Sequence, residues 1–401
     1  MARLDPAAPE LRLPADHVLV RIQGVARLVG AAGVVLSLVG VLVAPDAFFR
    51  AYLVAYLFFF GVALGSMAIL MLQYITGGAW GAVIRRILEA CTRTLPLMAL
   101  LFVPILLGLR HLYPWARPEQ VAHDPLLAHK TLYLNVPFFV GRAIFYFGTW
   151  IAVMYYLNRW SLEQDTRPDP ALTRRLEMLS RGGLLLYALT ETFAAVDWAM
   201  SLDAHWFSTI YGILLMGGQG LATLAFVIPV AMTLARRPPL TKVITPDQFH
   251  DLGKLMLAFV MLWAYFSFSQ LLITWSANLP EEIPFYLRRI EGAWLWVGIA
   301  LVIVHFMLPF VVLLSRDVKR RPAALAVVAA GLIGARFIDI FWLVRPTLAG
   351  GGIGLHWLDF VVPFAVGGLW MWAFVSQLAG RALVPVNDPY LPEPESEREA
   401  A

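Results

Sequence analysis

The sequence predicts an all-α integral membrane protein with ten transmembrane helices, two four-helix bundles with the first and last helices flanking them. Three observations predict it. Hydrophobic residues make up 60% of the 401-residue chain and charged residues 14%, and the mean hydropathy is +0.70, so its solvent is mostly lipid. Ten apolar runs approach or exceed the ~18 residues that carry a helix across a bilayer. Arginine and lysine collect on alternate connections between those runs, as membrane topology requires.

In chain order the runs fall at about 25–43, 48–74, 93–109, 136–157, 182–200, 207–234, 252–275, 292–314, 323–344 and 357–379. Residues 1–24 read as a cytoplasmic N-terminal segment, with Arg3, Arg12 and Arg21 ahead of a first run that no small-residue cleavage site follows. Spans two to five (48–200) and six to nine (207–344) form the expected bundles. No internal repeat is visible. Pro96, Pro104, Pro229 and Pro309 lie in or near span ends, where they kink helices whose freed carbonyls neighbours can satisfy. Of the 31 basic residues, seven fall in one set of connections (50, 110, 117, 130, 288, 289, 345) and two within spans (142, 336). The remaining twenty-two fall on the side that carries both ends of the chain. Both termini are therefore expected in the cytoplasm. The tail 380–401, with Pro385, Pro389, Pro392, Pro394 and several glutamates, reads as an irregular cytoplasmic extension. The longest outer loop, 110–135, carries His111, Tyr113, Trp115, His123 and His129 among prolines. It reads either as a segment that packs against a partner or as an aromatic interfacial belt.

A pI near 9.2 without a dense basic tract argues against nucleic-acid binding. The single cysteine, Cys91, excludes an internal disulfide framework, a Cys-ligated iron–sulfur cluster and a CxxCH haem attachment within this chain. No metal site is expected, and any redox centre belongs to partners.

Ionisable side chains at membrane depth cost roughly 2.5–3.5 kcal/mol or more unless paired or hydrated, so the few present are the candidates. Arg142 in span four and Asp197 in span five lie at comparable depth on antiparallel neighbours and read as an ion pair. Arg336 and Asp339, three apart in span nine, read as a second pair. Both pairs read first as structural devices. Glu191, near the middle of span five, has no basic residue one turn away. It is protonated, hydrogen-bonded to another helix, or hydrated in a polar cavity, and the last two suit a proton carrier. His305 is the only histidine deep within a span, so bis-histidine haem ligation lacks a second ligand. It is either a satisfied core histidine or a proton relay. His250, Asp251 and Lys254 open span seven, either as a capped helix start with a snorkelling lysine or as an entrance that collects protons. Span seven also offers hydroxyls and an amide, on a stripe holding Tyr265, Ser269, Leu272 and Ser276 and a neighbouring one holding Ser267, Gln270 and Thr274. The candidate proton pathway is thus Glu191, Asp197, His250, Asp251, Lys254, Tyr265 and His305. No residue is assigned a catalytic role.

The stretch HDLGKLMLAFVMLWAYFSFSQLLITWSANLPEEIPFYLRR (250–289), with ten spans and an acid in span five, resembles the ActF family. These are the smaller NrfD/polysulfide-reductase-like membrane subunits of bacterial alternative complex III, a quinol:cytochrome c oxidoreductase, and the resemblance covers nearly the whole chain. It implies a subunit in the bacterial cytoplasmic membrane beside an ActC-like sister subunit of similar fold. It also implies periplasmic iron–sulfur and multihaem cytochrome c partners, so that quinol, haem c and iron–sulfur clusters are held by those subunits and none by this one. In the family the quinol pocket is assigned to the sister subunit and the ActF-like subunit is discussed as proton-conducting, although it is also called quinone-binding subunit 2. Two other functions suit ten spans with intramembrane charges. One is a secondary transporter, for which Gly217, Gly218 and Gly220 hint at an interrupted helix. The other is an NrfD-type subunit that binds quinol itself.

Overall fold

The computed structural model describes residues 11–237, 240–348 and 352–391. Arg3, Pro392, Pro394, the tail glutamates and the first ten residues of the N-terminal segment lie outside them. The described residues are helical with no strand, and ten helices are long: α1 (Val18–Val43), α2 (Pro45–Thr76), α3 (Arg85–Leu107, in three pieces), α4 (Val136–Thr166) and α5 (Pro170–Trp198), followed by α6 (Tyr211–Leu234), α7 (Pro246–Ala277), α8 (Ala293–Leu314), α9 (Pro322–Leu348) and α10 (Leu358–Ala379). Among the described residues nine of these are long and apolar enough to cross a bilayer, and the chain is a multi-pass, all-α membrane protein. The exception is α5. Its 29 residues span a bilayer in length, but Arg174, Arg175, Glu177 and Arg181 in its first half and Glu191 and Asp197 in its second make it less apolar than the rest.

Several helices overrun their apolar runs, and polar caps fix where the helices start. Asn135 and Asp169 accept from Phe138 N–H and Ala171 N–H, each at 2.9 Å, at the starts of α4 and α5, with a proline in the first turn of each. Helix α1 begins at Val18, seven residues before its apolar run. His17 Nδ1 accepts from Leu19 N–H (3.2 Å), while Nε2 faces Thr233 O at the end of α6 (3.3 Å). Burial holds His17 below the usual imidazole range, which preserves the neutral ring that both contacts require.

α2 is the spine. It is apolar all round, buried along most of its length, and it packs against α1, α3, α5, α6, α9 and α10. At Gly65 its backbone runs so close to α6 that a Cβ would lie 2.6 Å from Gln219 O. Helix α6, itself 78% buried, carries α7, α9 and α5 on its other sides, and α8 leans on α7 and α9. Helix α7, whose composition singled it out in the sequence, is peripheral, with only its inner stripe buried.

Two helices depart from regular geometry where proline removes an N–H. In α3, Pro96 and Pro104 separate Arg85–Thr92, Leu95–Leu100 and Val103–Leu107. Phe102 N–H and Ile105 N–H bond three residues back, to Ala99 and Phe102, which frees the carbonyls of Met98 and Leu101. Tyr56 and Tyr52 of α2 donate to these two, at 3.1 and 2.7 Å, so both of these freed acceptors are paired. In α8, a π-helical turn, Val302–Met307, stands directly before Pro309, whose ring would otherwise press on the carbonyl of His305. Pro229 sits inside α6 without breaking it.

The N-terminal end of α1 and the C-terminal end of α10 lie on one side, called here the terminal end. Leu383 N–H donates to Leu11 O (2.8 Å). The tail expected as an irregular extension is folded back over this end as far as described. Asn387 Nδ2 donates to the last carbonyls of α4, Gln164 O (2.9 Å) and Asp165 O (2.8 Å), and Asp388 pairs with Arg85. Tyr390 covers Gly77, a positive-φ residue (66°) at which a Cβ would strike the Tyr390 ring. At the opposite end the 110–135 loop packs on its own chain. Tyr113 OH donates to Trp198 O (2.8 Å), Trp115 Nε1 to Ser201 Oγ (3.1 Å) and Lys130 Nζ to Ala204 O (2.6 Å).

Helix α1 is held against α10 by small residues. A Cβ on Gly33 would approach the Cβ of Ala365 to 2.8 Å, and one on Gly368 the Ala26 carbonyl to 2.6 Å. Gly33→Leu therefore forces these backbones apart, at about 1–3 kcal/mol for overpacking. Its thermal unfolding in detergent should begin at lower temperature than the wild type's, whereas Gly24→Leu, at a site with no neighbour within 4 Å, should leave it unchanged.

Candidate functional site

Charged and polar side chains meet inside the helix assembly at three levels. Nearest the loop end, α4 and α5 are clamped by a bidentate pair in which Arg142 Nε and Nη2 donate to the two oxygens of Asp197, both at 2.8 Å. Tyr146 OH adds a third bond to Asp197 (2.9 Å), Arg142 Nη1 donates to Tyr133 O (3.0 Å), and the guanidinium lies over the Tyr133 ring, 3.8 Å from its centre. Asp197 is fully enclosed and its oxygens are engaged, so the geometry is that of a structural clamp.

The middle level runs from α5 across α6 to α9, α7 and α8. Glu191 of α5 is 2% exposed. Its Oε1 accepts from Gln219 Nε2 of α6, and its Oε2 has no protein partner. The Gln219 amide is oriented by Tyr187, whose OH donates to Gln219 Oε1 (2.9 Å). One residue before Gln219, Gly218 leaves the space that the Arg336 guanidinium of α9 occupies, since a Cβ there would collide with it. Arg336 pairs with Asp339 one turn along, and Asp339 Oδ2 also accepts from Trp263 Nε1 of α7 (2.9 Å). The Trp263 ring packs on His305, centroids 4.1 Å apart. His305 has no exposed surface, and neither ring nitrogen has a partner. It sits in the π turn of α8, which re-aims the residues it contains.

At the terminal end, α3, α4 and the tail enclose a third cluster. Arg86 pairs with Glu89 (2.7 Å) and Asp165, Ser161 Oγ donates to Glu89 (2.5 Å), and Arg93 Nη1 donates to Asn158 Oδ1 (2.6 Å). Glu89 is completely buried.

The structure thus brings Glu191, Arg336, Asp339 and His305 into one neighbourhood, and separates others from it. Tyr265, expected as a station, is 65% exposed on the outer surface of α7, as are Leu272 and Ser276, while Trp263 and Gln270 of that helix point inward. The seven residues between Trp263 and Gln270 return a helix to the same face, and Tyr265 lies about 200° round from Trp263. His250, Asp251 and Lys254 lie on the first turns of α7, and Lys254 Nζ pairs with the Asp251 carboxylate at 2.7 Å. The cap expected of Asp251 is supplied instead by Thr245 and Gln248, because α7 starts at Pro246. Asp197 belongs to the clamp. Gly217, Gly218 and Gly220 do not interrupt α6, which is continuous; they admit Phe266, Arg336 and Phe259.

Sequence reasoning missed Gln219, Trp263 and the whole terminal-end cluster. Gln219 is the one amide in an otherwise apolar, glycine-rich helix, which is a usable signal. Arg85, Arg86 and Arg93 were absorbed into the count of inside charges, although the spacing of Arg86, Glu89 and Arg93 places them on one helical face. Among the described residues no group of three or more His, Cys, Asp or Glu is arranged to hold a metal ion.

The fold and these buried clusters define a polytopic membrane protein with titratable groups inside its helix assembly. No protein-family model matches the chain, and no curated protein matches it.

If Arg142–Asp197 is a clamp, Asp197→Ala strands the guanidinium and the Tyr146 hydroxyl, a loss of roughly 3–5 kcal/mol. The chain should unfold well below the wild-type temperature. Arg142→Met with Asp197→Leu, which removes both charges, should recover most of the difference; equal stability of Asp197→Ala and wild type would exclude a structural role.

Proposed function

We propose that this chain is an integral membrane subunit of a quinol:electron-acceptor (cytochrome c) oxidoreductase of the alternative complex III type, the ActF-like member. It anchors the complex and carries protons through its helix assembly, and quinol is oxidised in the sister subunit. The stretch 250–289 and ten long helices support the family. Helix α5 is read as the tenth span, with α2–α5 and α6–α9 as the two four-helix bundles. The observation that carries the proton reading is Glu191. It is a fully enclosed carboxyl with one oxygen held by Gln219 and the other without a partner, so a proton on Oε2 can be held and released without breaking the bond that positions the group.

On this reading electrons stay with the iron–sulfur and multihaem cytochrome c subunits on the periplasmic side, beside an ActC-like partner. Quinol oxidation there releases two electrons and two protons. This chain's own residues hold and pass protons: Tyr187 and Gln219 fix the Glu191 carboxyl, and the terminal end faces the cytoplasm with the larger share of basic residues.

Reporter fusions at residues 120 and 170 should read periplasm and cytoplasm respectively; the opposite pattern reverses the topology. The complex purified from native membranes should contain multihaem cytochrome and iron–sulfur subunits, and a solitary chain sinks the assignment. Glu191→Gln keeps size and hydrogen bonding but removes titration. In sealed vesicles it should assemble yet lower proton uptake per quinol oxidised, by a factor on the order of 100 if Glu191 is an obligatory carrier. Wild-type rates and stoichiometry in that variant exclude the role.

A further inference from the structure

Arg336 lies between two buried carboxyls on different helices. Its Nη1 bonds Asp339 on its own helix, and its guanidinium rests against the α6 backbone at Gly218, next to the residue whose side chain holds Glu191. Across Gly218 and the adjoining Gln219 its positive charge favours the ionised form of Glu191. The remaining titratable groups facing this region are Arg289, which lies beyond Tyr211 and gives its hydrogens to the carbonyls of Phe285, Trp342 and Leu343, and three phenols and an imidazole: Tyr56 from α2, Tyr187 from α5, Tyr211 from α6 and His305 from α8. Burial favours the neutral forms of the phenols and the imidazole, and Arg289 is held by its own three carbonyls, so the charge balance around Gly218 rests on Glu191, Asp339 and Arg336.

Two carboxylates and one guanidinium sum to one negative charge, which a desolvated site disfavours strongly. One proton restores neutrality. We propose that Glu191, Asp339 and Arg336 form a single titrating unit that holds one proton between its two acids, with Arg336 as the positioning residue that decides which acid carries it. In the arrangement seen, Arg336 and the Trp263 indole both donate to Asp339, so Asp339 is the carboxylate and Glu191 carries the proton. When Glu191 gives up its proton it becomes the second carboxylate, the guanidinium turns toward it over Gly218, and Asp339, losing its counter-charge, takes a proton. The site changes by one proton lost at Glu191 and one gained at Asp339, with no change in net charge. Gly218 is essential to this movement, because any side chain there would fill the space that the guanidinium uses.

This inference rests on Glu191 being the proton-exchanging carboxyl, and infrared spectroscopy of the full chain in lipid nanodiscs tests the two separately. The readout is the carbonyl-stretch band of a protonated carboxyl at neutral pH. The wild type should show such a band, and Glu191→Gln should lack it. In Asp339→Asn the remaining acid and Arg336 neutralise each other, so the band should fall at least about ten-fold. In Arg336→Gln both acids must carry protons, so a second band should appear, and Arg336→Gln with Asp339→Asn should show the Glu191 band alone. Arg336→Gln leaves no unpaired charge and serves if Asp339→Asn does not fold. An undiminished band in a folded Asp339→Asn, or no added band in Arg336→Gln, overturns the shared proton. Absence of any band that Glu191→Gln removes overturns both it and the Glu191 reading. Bands that respond as stated, together with unaltered proton uptake in Glu191→Gln vesicles, overturn the carrier role and leave the shared proton standing.

Discussion

The structure depends on one constraint: at lipid depth, polar groups have to find their partners within the protein. Backbone amides meet it by being helical, and the exceptions show how demanding it is. Where Pro96 and Pro104 break α3, two tyrosine hydroxyls from α2 reach the freed carbonyls of Met98 and Leu101. Where Pro309 disturbs α8, the helix widens by a π turn instead of opening. The same requirement turns Arg142, Arg289 and Arg336 inward. Arg289, with no exposed surface, gives its hydrogens to Phe285 O, Leu343 O and Trp342 O, closing the last turn of α9 with a positive charge at its negative end.

Close packing then decides which helices can share a polar network. Glycine is used where two backbones or a backbone and a large group touch: Gly65 lets α6 approach α2, and Gly218 lets Arg336 lie against α6. Because the middle stretches of α2 and α6 are buried on nearly all sides, a polar residue there is internal, as Ser66 and Gln73 of α2 and Gln219 and Thr223 of α6 are. That is how Gln219, on a helix with no charged residue of its own, comes to hold Glu191. The peripheral helices behave oppositely: α7 turns Trp263, Gln270 and Thr274 inward and leaves Tyr265 outward, so hydroxyl content alone does not mark its inner face.

The polar levels differ in how their deepest carboxylates are satisfied, and at the terminal end Arg85 Nε and Arg86 Nε are also without partners. The clamp of Arg142, Asp197 and Tyr146 has its oxygens and donors occupied, and so does the Glu89 carboxylate of the terminal-end cluster. In the middle level Glu191 Oε2 and both nitrogens of His305 lack partners. Leaving a buried polar group unpaired costs roughly 1–3 kcal/mol, so these three atoms concentrate that cost in one neighbourhood.

The sequence alone determined the class and the helix list. Each apolar run falls on one long helix, nine of them apolar enough to cross a bilayer, because solvation by lipid leaves a one-dimensional signature, and the spacing of Arg336 and Asp339 found their pair because helical geometry is local. The Arg142–Asp197 pair was legible as well, since adjacent antiparallel helices put equal depths side by side. Tertiary structure alone decided the rest. The boundaries moved outward where caps at His17, Asp169 and Thr245 start helices ahead of the lipid-like run. That Gln219 meets Glu191, that Trp263 links Asp339 to His305, and that Tyr265 faces away from all of them depends on the rotation of each helix about its own axis. Rotation is set by packing between residues far apart in the chain, and hydropathy, which is summed along a helix, carries no record of it.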